Sequence, residues 1–481
     1  MNQQATFKFS RTTETVSSQK KLAPKTLAPT RVARLSTSTP ELTRPIHYLG
    51  SKLRIVDLIR ETVGHVDPSN GPVCDLFAGS GTVSLEFSNS RTVVAVDIQE
   101  YSRVLCSALL NTPPVTPKTL EHYLNTVRSS EHVRCLSWAI EPVVNYEASC
   151  QNRAETGELE PLCQLLDHGS IVSFEKNPGL IKDASLFSAL KETVSRLQET
   201  DLIKTPSALT TRYFGGIYFS YIQASQIDTL LEATTSLPSS VRDVFLAAIL
   251  STASEVVNTV GKQFAQPIRP RFLDGRPKPN LAERVARDRT IDAIDAYENW
   301  IARYLALPRS DQKHLVLRND YADALENLHG RVSVVYADPP YTRDHYSRYY
   351  HVLETLCLRD CPAVSTVCIN GNERMGRGIY RINRYQSPFC IKSKAPHAFS
   401  TLFEKVRRLN VPLVLSYSPF KKDTGARPRL MAIKDIAELA RRSFGQVKVE
   451  TAGRIAHSKL NRSDMNKAIS YDAETFLICK P

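Results

Sequence analysis

The sequence predicts a mixed α/β protein whose parallel sheet is interrupted by a long helical segment. Residues 71–99 pass from a short apolar strand through a small-residue loop and a helix into a second strand, which makes a βαβ unit. Such a unit requires parallel strands joined by a right-handed crossover. Strand patterns return only from residue 314 onward, and the intervening stretch of about two hundred residues is long enough to need structure of its own.

The composition limits the class of protein. The chain has 481 residues, 42% of them hydrophobic, which is enough for a large core and for more than one domain. Its formal net charge of +13 favours a polyanionic partner, of which nucleic acid is the commonest. None of its ten cysteines forms a C-x-x-C pair, so no metal site is expected. Because no run resembles a signal peptide or could cross a bilayer, we expect a cytoplasmic protein without membrane association.

Residues 1–45 differ from the rest of the chain. They are rich in Ser, Thr, Pro, Lys and Arg, and their only acids are Glu14 and Glu41. That composition cannot bury a core, so it predicts a disordered basic arm. Two other interpretations stay open: an organelle transit peptide, which an acid-poor and Ser-rich start resembles, and an arm that touches nucleic-acid phosphates.

The ordered elements follow from hydrophobic periodicity. Ile55, Leu58, Ile59 and Val63 recur at helical spacing and predict the first helix. The most apolar later helix is predicted at 241–260. Five further strands are predicted in the runs HLVLRND, RVSVVYAD, VPLVLSYS, QVKVET and AETFLICK.

These patterns divide the chain into four parts. After the arm comes the first part of an α/β domain at 46–109. A mostly helical insert at 110–310 follows, and 311–481 completes the α/β domain.

The stretch DLFAGSG puts Gly79 and Gly81 directly after a predicted strand. Glycine there lets the backbone turn sharply and approach a ligand closely. Asp97, at the end of the next strand, can accept hydrogen bonds from ribose hydroxyls. A nicotinamide-binding fingerprint would have a third glycine, which is missing, and the carboxylate of Asp75 would repel a pyrophosphate but suit an aminoacyl group or a sulfonium cation. The alternative is a glycine-rich turn with a structural acid.

The stretch VVYADPPY ends another predicted strand. Proline cannot donate to a sheet ladder, so the strand stops at Asp338 and the following proline pair makes a rigid, extended exit. An acid, a carbonyl group and an aromatic ring are thereby fixed at the carboxyl end of the strand, where ligands bind in open parallel sheets. The alternative is a tight turn after a core strand with an incidental acid.

Together, DLFAGSG and the downstream ADPPY resemble the paired motifs of S-adenosylmethionine-dependent amino-methyltransferases of DNA. The upstream HYLGSK resembles the segment that precedes the glycine loop in Dam-like adenine-N6 methyltransferases, and the order of the motifs is that of the alpha group of this family. The resemblance covers 45–100 and 314–420, and 470–481 more loosely. It implies a Rossmann-like methyltransferase sheet. The resemblance does not cover the large, mostly helical insert at 110–310, where we expect the recognition domain because this is the only large region without another assigned role.

The resemblance also implies roles for single residues. Tyr48 and Lys52 would meet the carboxylate of the cofactor's methionine end, and Asp97 would bind its ribose. Asp320, in LRND, would contact the adenine amine of the cofactor. The residues that would line the pocket beneath the cofactor are Asp75, Phe77, Gly79 and Gly81.

The ADPPY turn suits reaction at an exocyclic amine, whose lone pair is delocalised into the base. Asp338 and the carbonyl of Pro339 would accept its two hydrogens, while Pro340 helps to hold them still, which is preorganisation of charge. Tyr341 would offer an aromatic face to a base flipped out of the duplex.

The segment 374–394 has six basic residues, no acids, and aromatic residues between them. Such a segment can bind phosphates and stack on unpaired bases. The residues expected to contact DNA are Arg374, Arg377, Arg381, Arg384, Tyr385 and Lys392. A second basic, Pro-rich stretch at 262–280 could act in the same way, and a solvated loop is the alternative for both.

The leading hypothesis is a site-specific adenine-N6 DNA methyltransferase of a restriction or phage-defence system, acting on double-stranded DNA with a partner restriction endonuclease. Cytosine-N4 methylation uses the same pair of hydrogen-bond acceptors at the strand end. The family's cytosine enzymes, however, more often carry serine where Asp338 stands. RNA as the substrate and a non-catalytic DNA-binding subunit are further alternatives. A nicotinamide dehydrogenase is disfavoured by the missing third glycine.

Overall fold

The computed structural model describes residues 44–369, 371–418, 429–451 and 474–481, so the predictions made for the basic arm lie outside it. Nine strands are found in these residues: β1 Val73–Leu76, β2 Val93–Asp97, β3 Leu315–Arg318, β4 Val334–Ala337, β5 Thr366–Ile369, β6 Asn372–Met375, β7 Leu413–Tyr417, β8 Gln446–Thr451 and β9 Thr475–Lys480. The central sheet has the order β3–β2–β1–β4–β7–β9–β8, which is consistent with a methyltransferase fold. Every strand predicted from the sequence is present.

The prediction of parallel strand pairing is confirmed for five strands and is wrong for β9. Strands β3, β2, β1, β4 and β7 are paired in parallel. Strand β9 is antiparallel to both of its neighbours, β7 and β8. An antiparallel neighbour can follow without a crossover helix, which a parallel strand requires.

Eighteen α-helices are described: α1 Val56–Val66, α2 Thr82–Ser88, α3 Glu100–Leu110, α4 Pro117–Ser129, α5 Glu131–Glu155, α6 Glu160–His168, α7 Ile171–Lys176, α8 Ala184–Glu199, α9 Leu209–Phe214, α10 Tyr221–Ala233, α11 Ser239–Val256, α12 Leu281–Arg289, α13 Ala293–Leu305, α14 Tyr321–Glu326, α15 Tyr346–Tyr349, α16 His351–Leu358, α17 Ala395–Leu409 and α18 Ile433–Arg441. The predicted first and most apolar helices correspond to α1 and α11. No described helix is both long and apolar enough to span a membrane.

Helices cover both faces of the sheet. On one face, alternate side chains of the strands, such as Leu76 and Val335, pack with α14, α17 and α18. On the other face, Val73, Val334 and their neighbours pack with α1, α2 and α3. Strands β1, β4 and β7 are therefore buried throughout, as near-continuous apolar runs in parallel sheets require.

The helices between residues 110 and 310 fall into two hydrophobic groups. Helices α10, α11 and α13 share a core with α3 and α16, so this part packs continuously with the α/β half of the chain. Side chains from α5, α6, α8 and α12 form a second core. Helices α10, α11 and α13 thus belong to a core that they share with the α/β half. The inserted recognition domain at 110–310 stays a prediction.

Strands β5 and β6 form a separate antiparallel hairpin that the sequence analysis did not identify. It begins at Thr366 and ends at Met375, so it overlaps the start of the basic segment. Two short helices, α15 and α16, follow the ADPPY turn and are divided at Tyr350.

Candidate active site

A cavity lies at the carboxyl ends of β1, β2 and β4, the edge of a parallel sheet where ligands bind. It brings together motifs that are far apart in the sequence, because the three strands are neighbours. The predicted residues that line it are Tyr48, Lys52, Asp75, Phe77, Asp97, Asp320, Asp338 and Pro340. No residue from 110–310 is among those that line it.

The glycine loop requires Gly79 for two reasons. Its φ is +56°, in the left-handed region, and a Cβ built there would lie 2.5 Å from Tyr48 Oη. Its amide donates a hydrogen bond of 3.0 Å to Asp97 Oδ2. Gly79 thus holds Tyr48 and Asp97 on either side of the loop. Gly81 also has a positive φ, of +78°, and caps the start of α2.

Two carboxylates face the cavity below the loop. Asp97 also accepts a hydrogen bond from the amide of Gln99, and burial raises its pKa. Asp75 is 2% exposed and accepts a hydrogen bond of 2.5 Å from Ser84 Oγ. Burial raises the pKa of Asp75 to about 7, although the hydrogen bond from Ser84 lowers this pKa in part. This part of the cavity favours a cationic or hydroxyl-bearing group over a phosphate.

Lys52 stands at the centre of the ionic contacts. Its ammonium group lies 3.1 Å from Asp338 Oδ1 and 3.0 Å from Glu474 Oε1. Glu474 is 2% exposed and also accepts a hydrogen bond of 2.7 Å from Ser416 Oγ. Burial lowers the pKa of Lys52, but the negative charges of Asp338 and Glu474 raise it by more, so the pKa of Lys52 lies well above its usual value. Since an ammonium group has three donors, one remains for a further acceptor in the cavity.

Asp338 leaves β4 at the point where the sheet ends. Burial raises the pKa of its carboxyl group, and Lys52 opposes this shift. Its Oδ1 is buried beside the ammonium group of Lys52, whereas the side chain as a whole is 22% exposed and lines the cavity. A carboxylate has more acceptor sites than one ion pair uses, so Asp338 can also accept a hydrogen bond from an amine that enters the cavity.

Asp320 has two partners. Its Oδ1 accepts a hydrogen bond of 2.9 Å from the amide of Ala322 at the start of α14. Its Oδ2 accepts one of 2.9 Å from the hydroxyl of Tyr385. Tyr385 was expected at the DNA surface, and the structure places it in the wall of the cavity instead.

The aromatic residues divide between the cavity wall and the core. Phe77 packs edge-on against Phe389, with ring centroids 5.4 Å apart. Pro339 and Tyr341 are not among the lining residues. The ring of Tyr341 packs on Tyr417 at 5.0 Å and has Arg429 Cζ 4.6 Å from its centroid. Its expected stacking on a base stays a prediction.

The arginines of the basic segment have contacts within the protein. Arg377 forms an ion pair of 2.9 Å with Asp167, and Arg381 forms one with Asp360. Arg384 lies over the ring of Tyr380, with its Cζ 4.8 Å from the centroid.

Arg374 lies in β6, opposite Val367. Lys392 is exposed and lines a shallow depression beside the turn, together with Arg343 and His345. Of the six residues expected to contact DNA, Lys392 has the position that best fits contact with a DNA phosphate, because it is exposed.

The sequence analysis missed two residues of the site, one behind the cavity wall and one in it. Glu474 precedes β9 in a region where no motif pointed to it. Tyr346 follows the ADPPY turn, lines the cavity and packs its ring 5.5 Å from Tyr48. An aromatic residue soon after the turn was visible in the sequence, but nothing there distinguished it from core residues.

Comparisons with known proteins agree with this geometry. Residues 48–133 match the family model described as D12 class N6 adenine-specific DNA methyltransferase. Modification methylase LlaI of Lactococcus lactis subsp. lactis is 23% identical over 415 residues, which cover 84% of this chain and 50% of that protein. Type II methyltransferase M.NlaIII of Neisseria lactamica is 22% identical over 320 residues, which cover 66% of this chain and 70% of that protein.

The chain therefore spans about half the length of the first of these relatives. No solved structure matches it. The matched residues contain the glycine loop, Tyr48, Lys52 and Asp97, which form one side of the cavity. The resemblance found in the sequence is thus confirmed for residues 48–133, where this chain is similar to the D12 class N6 adenine-specific DNA methyltransferases.

Proposed function

We propose that this protein is a site-specific DNA methyltransferase that transfers a methyl group from S-adenosylmethionine to the N6 amine of adenine. The observation that carries the proposal is the position of Asp338. It leaves β4 into the same cavity as the glycine loop, where its carboxylate is held by Lys52 and remains 22% exposed. An acceptor for an amine thus faces a cavity suited to a sulfonium cofactor.

The cavity has the groups that S-adenosylmethionine needs. Lys52 has a donor left for the cofactor's carboxylate. Asp97 accepts hydroxyl hydrogens, Asp320 accepts from an exocyclic amine, and the absence of a Cβ at Gly79 keeps Tyr48 in place. Asp75 disfavours a phosphate-bearing cofactor. When bound, the cofactor supplies a methyl group activated by its positive sulfur.

The residues at the turn would prepare the target amine. Asp338 and the carbonyl of Pro339 accept its two hydrogens, which draws the nitrogen toward a tetrahedral shape and frees its lone pair. Lys52 keeps the carboxylate in one orientation. The aspartate also favours adenine over cytosine, whose enzymes in the related family more often carry serine there.

The base must leave the duplex to reach this cavity. Exposed cations such as Lys392 and Arg269 would hold the phosphates of double-stranded DNA. We place base-specific contacts within 110–310, assisted by 374–394, because the cavity residues serve chemistry that is the same for every target sequence. Modification enzymes protect DNA from a restriction endonuclease, and we expect such a partner here.

The proposal is tested by expressing the protein in a strain that lacks DNA methyltransferases and sequencing its DNA for modified bases. N6-methyladenine within one recurrent sequence is expected, and it should vanish with Asp338→Ala. This variant should still bind S-adenosylmethionine in calorimetry, because Asp338 acts on the target amine. N4-methylcytosine, or unmodified DNA from cells with folded protein, would refute the proposal.

A further inference from the structure

Part of the basic segment 374–394 is folded into the wall of the cavity. Tyr385 and Ser387 are among the residues that line it. Phe389 is fully buried and packs edge-on against the rings of Phe77 and Tyr321, with centroids 5.4 and 5.1 Å away. This short stretch is therefore packed in place beside the strand that leads into the glycine loop.

Tyr385 is held at its main chain and at its hydroxyl group. The hydroxyl of Ser347 on α15 donates a hydrogen bond of 2.5 Å to the main-chain carbonyl of Tyr385. The hydroxyl of Tyr385 donates one of 2.9 Å to Asp320 Oδ2. Burial and the negative charge of Asp320 raise the pKa of Tyr385, so its hydroxyl stays protonated. The direction of this hydrogen bond is thus fixed, because an ionised carboxylate can only accept.

Asp320 is held through both of its carboxylate oxygens. Oδ1 accepts a hydrogen bond from the amide of Ala322, and Oδ2 accepts the one from Tyr385. Together the two hydrogen bonds fix the plane of a carboxylate whose last torsion is otherwise broad. Since a carboxylate has about four acceptor sites, others remain on a side chain that lines the cavity. These sites can accept hydrogens from a ligand but cannot donate any.

A carboxylate in a fixed orientation distinguishes an amine from a carbonyl group. Adenine has an amine at C6 of its purine, whereas hypoxanthine has a carbonyl oxygen at the same position. Asp320 can accept a hydrogen from the amine, but against the carbonyl oxygen two acceptors would face each other without a hydrogen between them. A site built to hydrogen-bond one group rejects an analogue that lacks it far more strongly than an apolar site does.

We infer that Tyr385 is a positioning residue for the cofactor: its hydroxyl holds Asp320 in the orientation that receives the adenine amine of S-adenosylmethionine. The inference rests on the proposed function and adds to it the origin of the preference for adenine in the cofactor. Tyr385 acts through Asp320, so it determines which cofactor is bound and does not take part in the transfer step. A residue of the basic segment thus serves the cofactor instead of DNA.

The test measures the binding of two ligands by calorimetry. S-adenosylhomocysteine has the amine at C6 of its purine, and S-inosylhomocysteine has the carbonyl oxygen. Wild type should bind the adenosyl ligand at least about a hundredfold more tightly. Tyr385→Phe keeps the ring and removes the hydroxyl, so it should reduce this preference by about tenfold or more. The change should come from weaker binding of the adenosyl ligand, because the inosyl ligand gains nothing from an oriented carboxylate.

Tyr213→Phe is the matched control, since it also removes one tyrosine hydroxyl. That hydroxyl donates a hydrogen bond of 3.0 Å to the carbonyl of Pro362, and Tyr213 is not among the residues that line the cavity. The control should leave the affinities for both ligands unchanged. Thermal unfolding followed by circular dichroism checks that both variants are folded, and the preference of wild type is measured independently of either variant.

A preference that Tyr385→Phe leaves unchanged, including equal weakening of both ligands, would overturn the inference, because the ring would then only fill space. Tighter binding of the adenosyl ligand by the variant would also overturn it, since the hydroxyl would then compete with the cofactor for Asp320. Equal affinities of wild type for the two ligands would show that Asp320 does not recognise the amine. Wild-type protein that binds neither ligand would contradict the proposed function itself.

Discussion

Lys52 Nζ lies 3.0 Å from Glu474 Oε1, and the same ammonium group lies 3.1 Å from Asp338 Oδ1. One buried cation therefore lies between the carboxylate expected to receive the target amine and a second carboxylate that does not line the cavity. Ser416 fixes Glu474 from the other side. The orientation of Asp338 thus depends on Glu474, a residue outside the cavity wall.

Glu474→Gln should move the acid limb of methyl transfer to lower pH. Asp338 must be ionised to accept the amine hydrogens. Burial raises its pKa, Lys52 and Arg429 lower it, and the charge of Glu474 raises it further. Without that charge the carboxylate stays ionised to lower pH. Single-turnover rates with saturating cofactor and DNA, measured across pH, give the midpoint of the limb.

The control is Glu326→Gln, which removes an exposed carboxylate paired with Lys405. It should leave the pH profile in place. If Glu474→Gln only reduces the maximal rate and its midpoint agrees with that of wild type, Glu474 has a structural role alone.

Gly79→Ala should weaken binding of S-adenosylmethionine by about tenfold or more, since the loop would relieve the strain of a left-handed alanine, about 1–2 kcal/mol, by leaving the shape that binds the cofactor. Its Cβ would also displace Tyr48. Gly64→Ala is the comparison, because Gly64 lies in α1 with nothing within 4 Å of its added Cβ. Calorimetry should find unchanged affinity there. Equal affinities for both variants would remove the glycine loop from the cofactor site.

Arg289→Met should lower the free energy of unfolding by roughly 3–5 kcal/mol, because it leaves a buried carboxylate without its partner. Arg289 forms an ion pair with Glu147 and donates a hydrogen bond of 2.7 Å to the carbonyl of Gly216. The side chains of Arg289 and Glu147 are both nearly inaccessible to solvent. Denaturant titration measures the change. Arg153→Met, which removes the exposed ion pair with Glu158, should leave the free energy of unfolding nearly unchanged, because solvent screens such a pair. Similar losses in the two variants would contradict this account.

DNA binding should weaken steeply with salt, by about a hundredfold or more between 50 and 200 mM, because several phosphates are contacted. Lys392→Ala should reduce the slope of log affinity against log salt by about one. Fluorescence anisotropy over a salt series gives both values. A slope that Lys392→Ala does not change would place Lys392 outside the interface.

The sequence was most informative where chemistry follows from strand ends. Asp97 and Asp338 were predicted at the carboxyl ends of strands, where ligands bind in open parallel sheets, and the resemblance implied that Asp75 lines the cofactor pocket. The direction of β9 was beyond reach, since an apolar run of six residues shows a buried strand without showing how it pairs.

Side-chain direction explains the other differences. Tyr385 lies in a basic and aromatic segment, and the pattern cannot tell whether a given ring faces solvent or, as here, Asp320. Glu474 was missed because a single acidic residue before a strand is a common feature that does not indicate a site. Its partner Lys52 also lies 422 positions away in the sequence. Only packing in three dimensions brings them together.

The contact between Lys52 and Glu474 joins residues 422 positions apart, so it also sets a time. At about 5–20 residues per second, a ribosome needs roughly 20–80 s to advance from one to the other. Until Glu474 has been added, Lys52 lacks one of the two carboxylates that hold its buried ammonium group. The ionic contacts beside the cavity should therefore be complete only after β9, which Glu474 directly precedes, has joined the sheet.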